Sequence, residues 1–219
     1  MEERRSCADC ATKGCDGKGG RRPDFCLSDN MPEGLLEESL EHYRDGEEAK
    51  ILRTAATVEH DGYLKWCRVQ ETMEFARRMG YTKIGIATCV GLLGETRTLA
   101  SILRAKGFEV YGAGCKAGMV RKTDVGIDPD CCEIGPNTCN PILQAEVLNR
   151  EGTQLNIVMG LCVGHDCLFN RHSAAPVTTL VAKDRVLANN PAGALYTAGS
   201  YYRKLSSAPA RCGNNEDDI

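Results

Sequence analysis

The stretch LNIVMGLCVGHDCLFNRHS, residues 155–173, joins an uncharged apolar run to a cluster of reactive side chains. The run LNIVMGL (155–161) reads as a buried strand that stops at Cys162, with Gly164, His165, Asp166 and Cys167 just beyond. Working outward, NPILQAEVLNREG (140–152) reads as a helix, with Asn140 at the N-cap, Pro141 at N1 and Gly152 after its end. VTTLVA (177–182) is a further strand. Upstream, KIGIAT (83–88) and FEVYGAG (108–114) are strands on either side of the helix GETRTLASILRAKG (94–107), with Leu99, Ile102 and Leu103 inward and Gly107 as its stop. NNPAGALYTAGSYYRKL (189–205) repeats the Asn-Pro start and reads as the last helix. Alternation of this kind predicts an α/β fold: a mostly parallel, Rossmann-like or flavodoxin-like sheet of about four strands with helices on both faces.

The rest of the chain is organised differently. Residues 1–30 are rich in Cys, Gly, Lys, Arg and Asp and nearly free of aliphatics, so they cannot build a core. Residues 31–80 read as helices packed on the main domain: PEGLLEESLEHYR, GEEAKILRTAATVEH, and YLKWCRVQETMEFARRMG with Trp66, Val69, Met73 and Ala76 on one face and Gly80 at C′. The expected divisions are a Cys-rich metal-binding segment (1–30), the helical region (31–80), the α/β domain (81–205) and a flexible acidic tail (206–219).

Of the 219 residues 42% are hydrophobic, enough for one α/β domain and an appendage. The net charge of −3 argues against a nucleic-acid surface or a polybasic membrane patch. No apolar run approaches the ~20 residues of a membrane span. MEERRSCADC lacks the apolar core of a secretory signal, so a cytoplasmic location is expected. Thirteen cysteines in such a chain point to metal ligands or catalytic thiols rather than a disulfide framework.

The cysteines are not scattered. Cys89, Cys115 and Cys162 each follow a strand, and in an open parallel sheet all strand C-termini lie along one edge, where ligand crevices form. Cys131, Cys132 and Cys139 lie in the long connection that starts and ends at that edge. Cys139 precedes the Asn140-Pro141 helix start, where free backbone N–H groups favour a thiolate. Three thiolates and one further ligand suit an iron–sulfur cluster, with [4Fe–4S] the expected type; buried cysteines acting as small hydrophobes are the bland alternative. Cys7, Cys10, Cys15 and Cys26 have the spacing C-x2-C-x4-C-x10-C, in a segment that needs something to fold around. A zinc ion or a cluster would supply it; a flexible, redox-sensitive tail is the other reading.

Lys116, His165 and Asp166 are the candidate catalytic residues. Lys116 would attract an anionic substrate, and a His–Asp neighbourhood in the glycine-flanked loop after Cys162 can tune a proton donor. Arg121, Lys122, Lys183 and Asp184 are weaker candidates at the same edge. His42, His60 and His172 have no partner legible in the sequence, Cys67 reads as packing on a helix, and Cys212 has no ligand role. There is no phosphate-binding G-x-x-x-x-G-K-[ST] loop. In CVGLLGE, Cys89 stands where the dinucleotide fingerprint has its first glycine, so no nicotinamide cofactor is expected.

The residues GLCVGHDCLFNRHSAAPVTTLVAKDRVLANNPAGALY, together with YTKIGIATCVGL, CNPILQAEVLN and the N-terminal CADC, resemble DUF1847, a family of uncharacterised proteins of anaerobic bacteria and archaea regarded as metal-binding. The likeness runs from Cys7 to about Tyr202. It implies metal binding at Cys7, Cys10, Cys15 and Cys26 and at Cys89, Cys115, Cys139 and Cys162, without saying what these do. It also implies a serine where this chain has Cys167, which speaks against Cys167 as an obligate ligand. The leading expectation is an iron–sulfur protein of anaerobic metabolism, an oxidoreductase or lyase working on a small molecule or with a redox protein partner. A zinc-stabilised regulatory module and a thiol or sulfur-transfer enzyme, with Cys162 or Cys89 as nucleophile, stay open beside it.

Overall fold

The computed structural model describes residues 5–207. The acidic residues of the C-terminus and Cys212 lie outside the described residues. The chain divides into two compact units, Met1–Asp61 and Gly62–Ile219.

In the first unit a short 3-10 turn, Cys7–Asp9, opens at Ser6. Ser6 Oγ accepts from Ala8 N–H, and Asp9 Oδ2 accepts from Ser6 N–H at 2.7 Å. Beyond it the chain folds back on itself: a side-chain carbon on Gly14 would lie 2.9 Å from the carbonyl oxygen of Arg21. Two helices follow, α1 (Leu35–Glu41) and α2 (Gly46–Gly62). From residue 5 to residue 48 nothing is buried; Ala49, Thr54 and Val58 on α2 are the enclosed side chains among the unit's described residues.

The second unit contains α3 (Arg68–Met79), β1 (Lys83–Thr88), α4 (Leu93–Ala105), β2 (Glu109–Gly114), α5 (Pro141–Arg150), β3 (Leu155–Met159), α6 (His165–His172), β4 (Val177–Val181) and α7 (Ala192–Tyr196). The four strands form one sheet in the order β2-β1-β3-β4, all parallel. The chain leaves β1 for β2 on one side and then crosses to β3 on the other. Right-handed crossovers in opposite directions put their helices on opposite faces, so α4 and α5 cover different sides of the sheet. The residue parity agrees. Ile84, Ile86, Val110, Leu155 and Ile157 pack with Met73 and Ala76 of α3 and Leu99 and Leu103 of α4. Ala87, Ala113 and Val158 face Ala145 and Leu148 of α5 and Phe169 of α6. Each fully enclosed Ile or Leu contributes roughly 1.5–3 kcal/mol of transfer free energy.

The second face is lined with small residues, which lets α5 lie close. A side-chain carbon at Gly85 would sit 2.0 Å from Asn156 Oδ1 and 3.0 Å from Leu148. Asn156 is wholly buried yet satisfied: its Oδ1 accepts from Thr153 Oγ1 at 2.7 Å and its amide donates to Ser173 Oγ at 2.8 Å. At the far end, Gly160 has φ 64°, and a side-chain carbon there would meet Leu92 at 2.1 Å. A glycine is therefore needed where β3 passes the turn that follows β1.

Several expectations need correction. Trp66 precedes α3, and Cys67 is its exposed N-cap rather than a packed helical residue. Ile102 faces solvent at 39% exposure, while Leu99 and Leu103 are inward, because positions 99 and 103 already fill the stripe facing the sheet. β3 ends at Met159, where Gly160 turns the chain. His165 and Asp166 lie in the first turn of α6, which Gly164 introduces, and not in a loop. The last long helix is absent: α7 spans five residues, Pro191 is its N-cap, and a 3-10 turn at Arg203–Ser206 follows. Gly193 and Gly199 interrupt the segment, and Leu195 and Tyr196 between them stand exposed, so no continuous apolar stripe is buried. Among the described residues no helix is long and apolar enough to cross a membrane.

Candidate functional site

Odd-numbered positions of β1 and β2 point to the α5–α6 face, so Cys89 and Cys115, each one residue past its strand, emerge on the same side. The ladder holds them there. Cys89 N–H donates to Met159 O at 3.1 Å, and Cys115 N–H donates to Thr88 O at 2.8 Å. The long connection after β2 returns to this spot. Arg121 pairs with Asn137 in an antiparallel bridge, and Asn140 N–H donates to Cys115 O at 2.8 Å, which brings Cys139 alongside Cys115. Asn140 Oδ1 then caps α5 by accepting from Leu143 N–H at 3.0 Å.

Beneath the pair lies Gln144, fully buried on α5. Its amide donates to Thr88 O at 3.1 Å and to Ala113 O at 2.6 Å, the carbonyls just before Cys89 and near Cys115. Its Oε1 is enclosed without a hydrogen-bond partner.

Together these segments enclose a pocket of about 700 Å³, within the ~300–1,000 Å³ range of small-molecule sites. Cys89, Cys115, Cys131, Cys139 and Cys162 line it, from four separate parts of the second unit. Backbone N–H groups point at two of the sulfurs: Val90 at Cys115 and Gly91 at Cys89, each at 3.4 Å. Arg185 Nη2 donates to Cys162 Sγ at 3.0 Å, and the sulfur's negative character holds the guanidinium above its usual range.

Cys115 and Cys139 behave as a pair. The Cys115 thiol donates to Cys139, which drives the Cys139 pKa down to about 5; Lys116 and His165 add positive field. The same hydrogen bond, with burial, pushes Cys115 well above the ordinary thiol range. The shared hydrogen bond makes Cys139, at the entrance to α5, the more acidic thiol of the pair and Cys115 the less acidic.

The remaining candidates separate into two groups. Lys116, Lys122, His165, Lys183 and Asp184 reach the pocket. Lys116 Nζ donates to Asn137 O, and the buried Lys122 Nζ donates to Cys131 O, so both brace the return loop. His165 Nδ1 is enclosed without a hydrogen-bond partner. Asp166, Arg121, Cys132 and Cys167 are not among the residues that line it. Asp166 accepts from Cys167 N–H at 2.8 Å and so serves its own helix turn. Arg185 and Glu95 also line the pocket and were not singled out in the sequence. Arg185 is carried inward by a turn in which Asp184 Oδ1 accepts from Val186 and Leu187 N–H, and only the Asp-x-x spacing hints at it. His42 pairs with Glu48 at 2.8 Å and His60 with Asp61 at 2.9 Å, partners the sequence reading lacked.

In the first unit, Cys7 and Cys15 are exposed and Cys10 and Cys26 partly covered. Cys10 lies below its usual pKa because the Thr12 hydroxyl and, after it, the Thr12 backbone hydrogen-bond to it. Arg22 donates to Asp29 at 2.8 Å and also feels Cys26 and Cys15, so those two thiols share its neighbourhood. Among the described residues, no three Cys, His, Asp or Glu side chains stand close enough in their present orientation to take a single metal ion. Five thiols in one pocket are soft donors of the kind an iron–sulfur centre takes, and a multi-iron cluster spreads its thiolates farther apart than one ion does.

Fold and site define a parallel α/β domain of flavodoxin-like strand order, with a thiol-lined pocket at the carboxyl ends of its strands. A family profile described as "Protein of unknown function (DUF1847)" matches residues 26–180, and the chain belongs to that family. The matched span takes in Cys26 and all five pocket cysteines and leaves out Cys7, Cys10 and Cys15. The chain is also similar to the uncharacterized protein MJ0455 of Methanocaldococcus jannaschii, at 45% identity over 177 residues, 78% of this chain and 86% of that protein.

Proposed function

We propose that this DUF1847 protein is an iron–sulfur protein of anaerobic metabolism, with its working centre in the sheet-edge pocket. The observation that carries the reading is the convergence of Cys89, Cys115, Cys139 and Cys162, from four chain segments, on one cavity. These four would hold a cluster, expected to be [4Fe–4S], which would supply electron transfer; held by three of them, its open iron would supply Lewis acidity instead. The chain's own part is electrostatic. Val90 and Gly91 N–H and the Arg185 guanidinium donate to sulfurs, which raises the reduction potential of thiolate-bound iron. His165 beside Cys139 is placed to move a proton, and Lys116 adds positive field. Asp166 carries no catalytic role in this proposal, since it does not line the pocket and its carboxylate accepts from Cys167 N–H within the first turn of α6. Cys7, Cys10, Cys15 and Cys26 form a second metal site, zinc or a cluster, that orders a segment without a core. A small molecule or a redox protein is the partner.

The test is iron and acid-labile sulfide content with an electron paramagnetic resonance spectrum on anaerobically purified protein. A Cys89→Ser/Cys162→Ser variant should lose the pocket centre and a Cys7→Ser/Cys10→Ser variant the other. Colourless protein holding zinc alone would overturn the proposal.

A second reading, thiol or sulfur transfer, is favoured by the Cys115–Cys139 pair. Its nucleophile is then Cys139, the thiol with the lowered pKa, rather than Cys162 or Cys89. Selective alkylation of a single thiol in protein that carries no iron would support it.

A further inference from the structure

Lys183 lies two residues past β4, and its side chain runs into the pocket along two glycines. A side-chain carbon on Gly160 would lie 3.4 Å from its Cε, and one on Gly91 would lie 3.8 Å from its Nζ. That second point is also 3.8 Å from Cys89 Sγ, so ammonium and thiol flank the same glycine. Lys183 is half-buried, and no described carboxylate lies within ion-pair distance of it. The two carboxylates in the wall do not serve it. Asp184 Oδ1 is taken up by Val186 and Leu187 N–H, and Glu95 stands exposed at the start of α4. The other pocket lysines, 116 and 122, are held by carbonyl oxygens. Arg185, two residues on, donates to Cys162 and keeps the rest of its five N–H donors.

We infer that the pocket holds an oxyanion subsite, in which Lys183 Nζ and the remaining donors of Arg185 bind the carboxylate or phosphate group of a small-molecule ligand beside the thiols. The inference rests on this pocket being the functional site, not on the identity of the centre the cysteines hold. A half-buried ammonium without a counter-charge lowers its free energy when an anion arrives, and the guanidinium fork suits two oxygens at once. The competing role for Lys183 is to balance thiolate charge at Cys89, and this has different consequences.

The test uses the full chain, as purified anaerobically and again after metal removal. Inorganic phosphate and succinate are the probes, followed by calorimetry, with iron, sulfide and thiol reactivity measured on the same samples. At least one probe should bind saturably and weaken with added salt. Lys183→Gln should bind it about ten-fold more weakly or worse. Arg185→Gln should also weaken it, and Lys183→Arg, which keeps the charge and controls for folding, should retain most of the affinity. The inference fails if neither probe binds either form, or if Lys183→Gln binds like the parent. It fails equally if Lys183→Gln changes iron content or Cys89 alkylation while anion affinity stays constant. Protein that binds a probe but holds no iron overturns the cluster and leaves the subsite; iron without probe binding does the reverse.

Discussion

Single atoms decide much here. Gly85 gives up its side chain so that Asn156, buried in the next strand, can turn its amide toward Thr153 and Ser173. Gly85→Ala inserts a methyl at 2.0 Å from that amide and should destabilise the chain by about 2 kcal/mol, lowering the melting temperature by ~5 °C in a thermal scan. The proton shared by Cys115 and Cys139 makes a second residue-scale prediction. A thiol with its pKa lowered to about 5 is ionised above that pH and loses its charge as pH falls through it. In metal-free, reduced protein, iodoacetamide should label Cys139 at a nearly constant rate from pH ~6.5 upward. Free cysteine labelled alongside as a reference should instead gain about ten-fold per pH unit until ~8.5. Equal pH profiles would exclude the shared proton.

At the level of elements, α5 is the helix on which the pocket depends, since its first turn carries the chain away from Cys139 and its inner face presents Gln144. Asn140→Ala removes the cap on Leu143 N–H and should cost about 1 kcal/mol by denaturant unfolding. Phe169 of α6 is fully enclosed with Leu148 and Val158, and Phe169→Ala should cost roughly 3–5 kcal/mol. The sequence displayed α5 plainly, because Asn-Pro at the start and Gly152 at the end are local signals of helix geometry. β1 was equally legible from KIGIAT, whose bounds match the strand. α6 was not, since HDCLFNRH buries a single phenylalanine and shows no periodic stripe. α7 was over-read because the Asn-Pro dipeptide suggested a start that no apolar face sustains. The convergence of Cys89, Cys115 and Cys162 could be read from strand ends, since parallel strands share an edge, and that of Cys139 from the return of the long connection to the same edge. Arg185 could not, because its approach to Cys162 depends on a turn beyond the strand.

Over the whole molecule, the two units differ in what can hold them together. The second has cores on both faces of its sheet; in the first, nothing is buried between residues 5 and 48. A segment without enclosed apolar surface gains its order from ligation if its four cysteines bind metal. Hydrogen exchange read by mass spectrometry should then show amides in residues 5–30 losing protection when a chelator is added, with β1 and β3 unchanged. Equal protection before and after chelation would remove the case for metal there. One side chain has reach beyond its size. Gln144 ties the carbonyls of Thr88 and Ala113 to α5, whose entrance adjoins Cys139. Three thiols from distant parts of the chain thus have their mutual spacing gauged by a carboxamide that contains no sulfur. Shortening it by one methylene, Gln144→Asn, would detune the whole constellation without replacing a single cysteine.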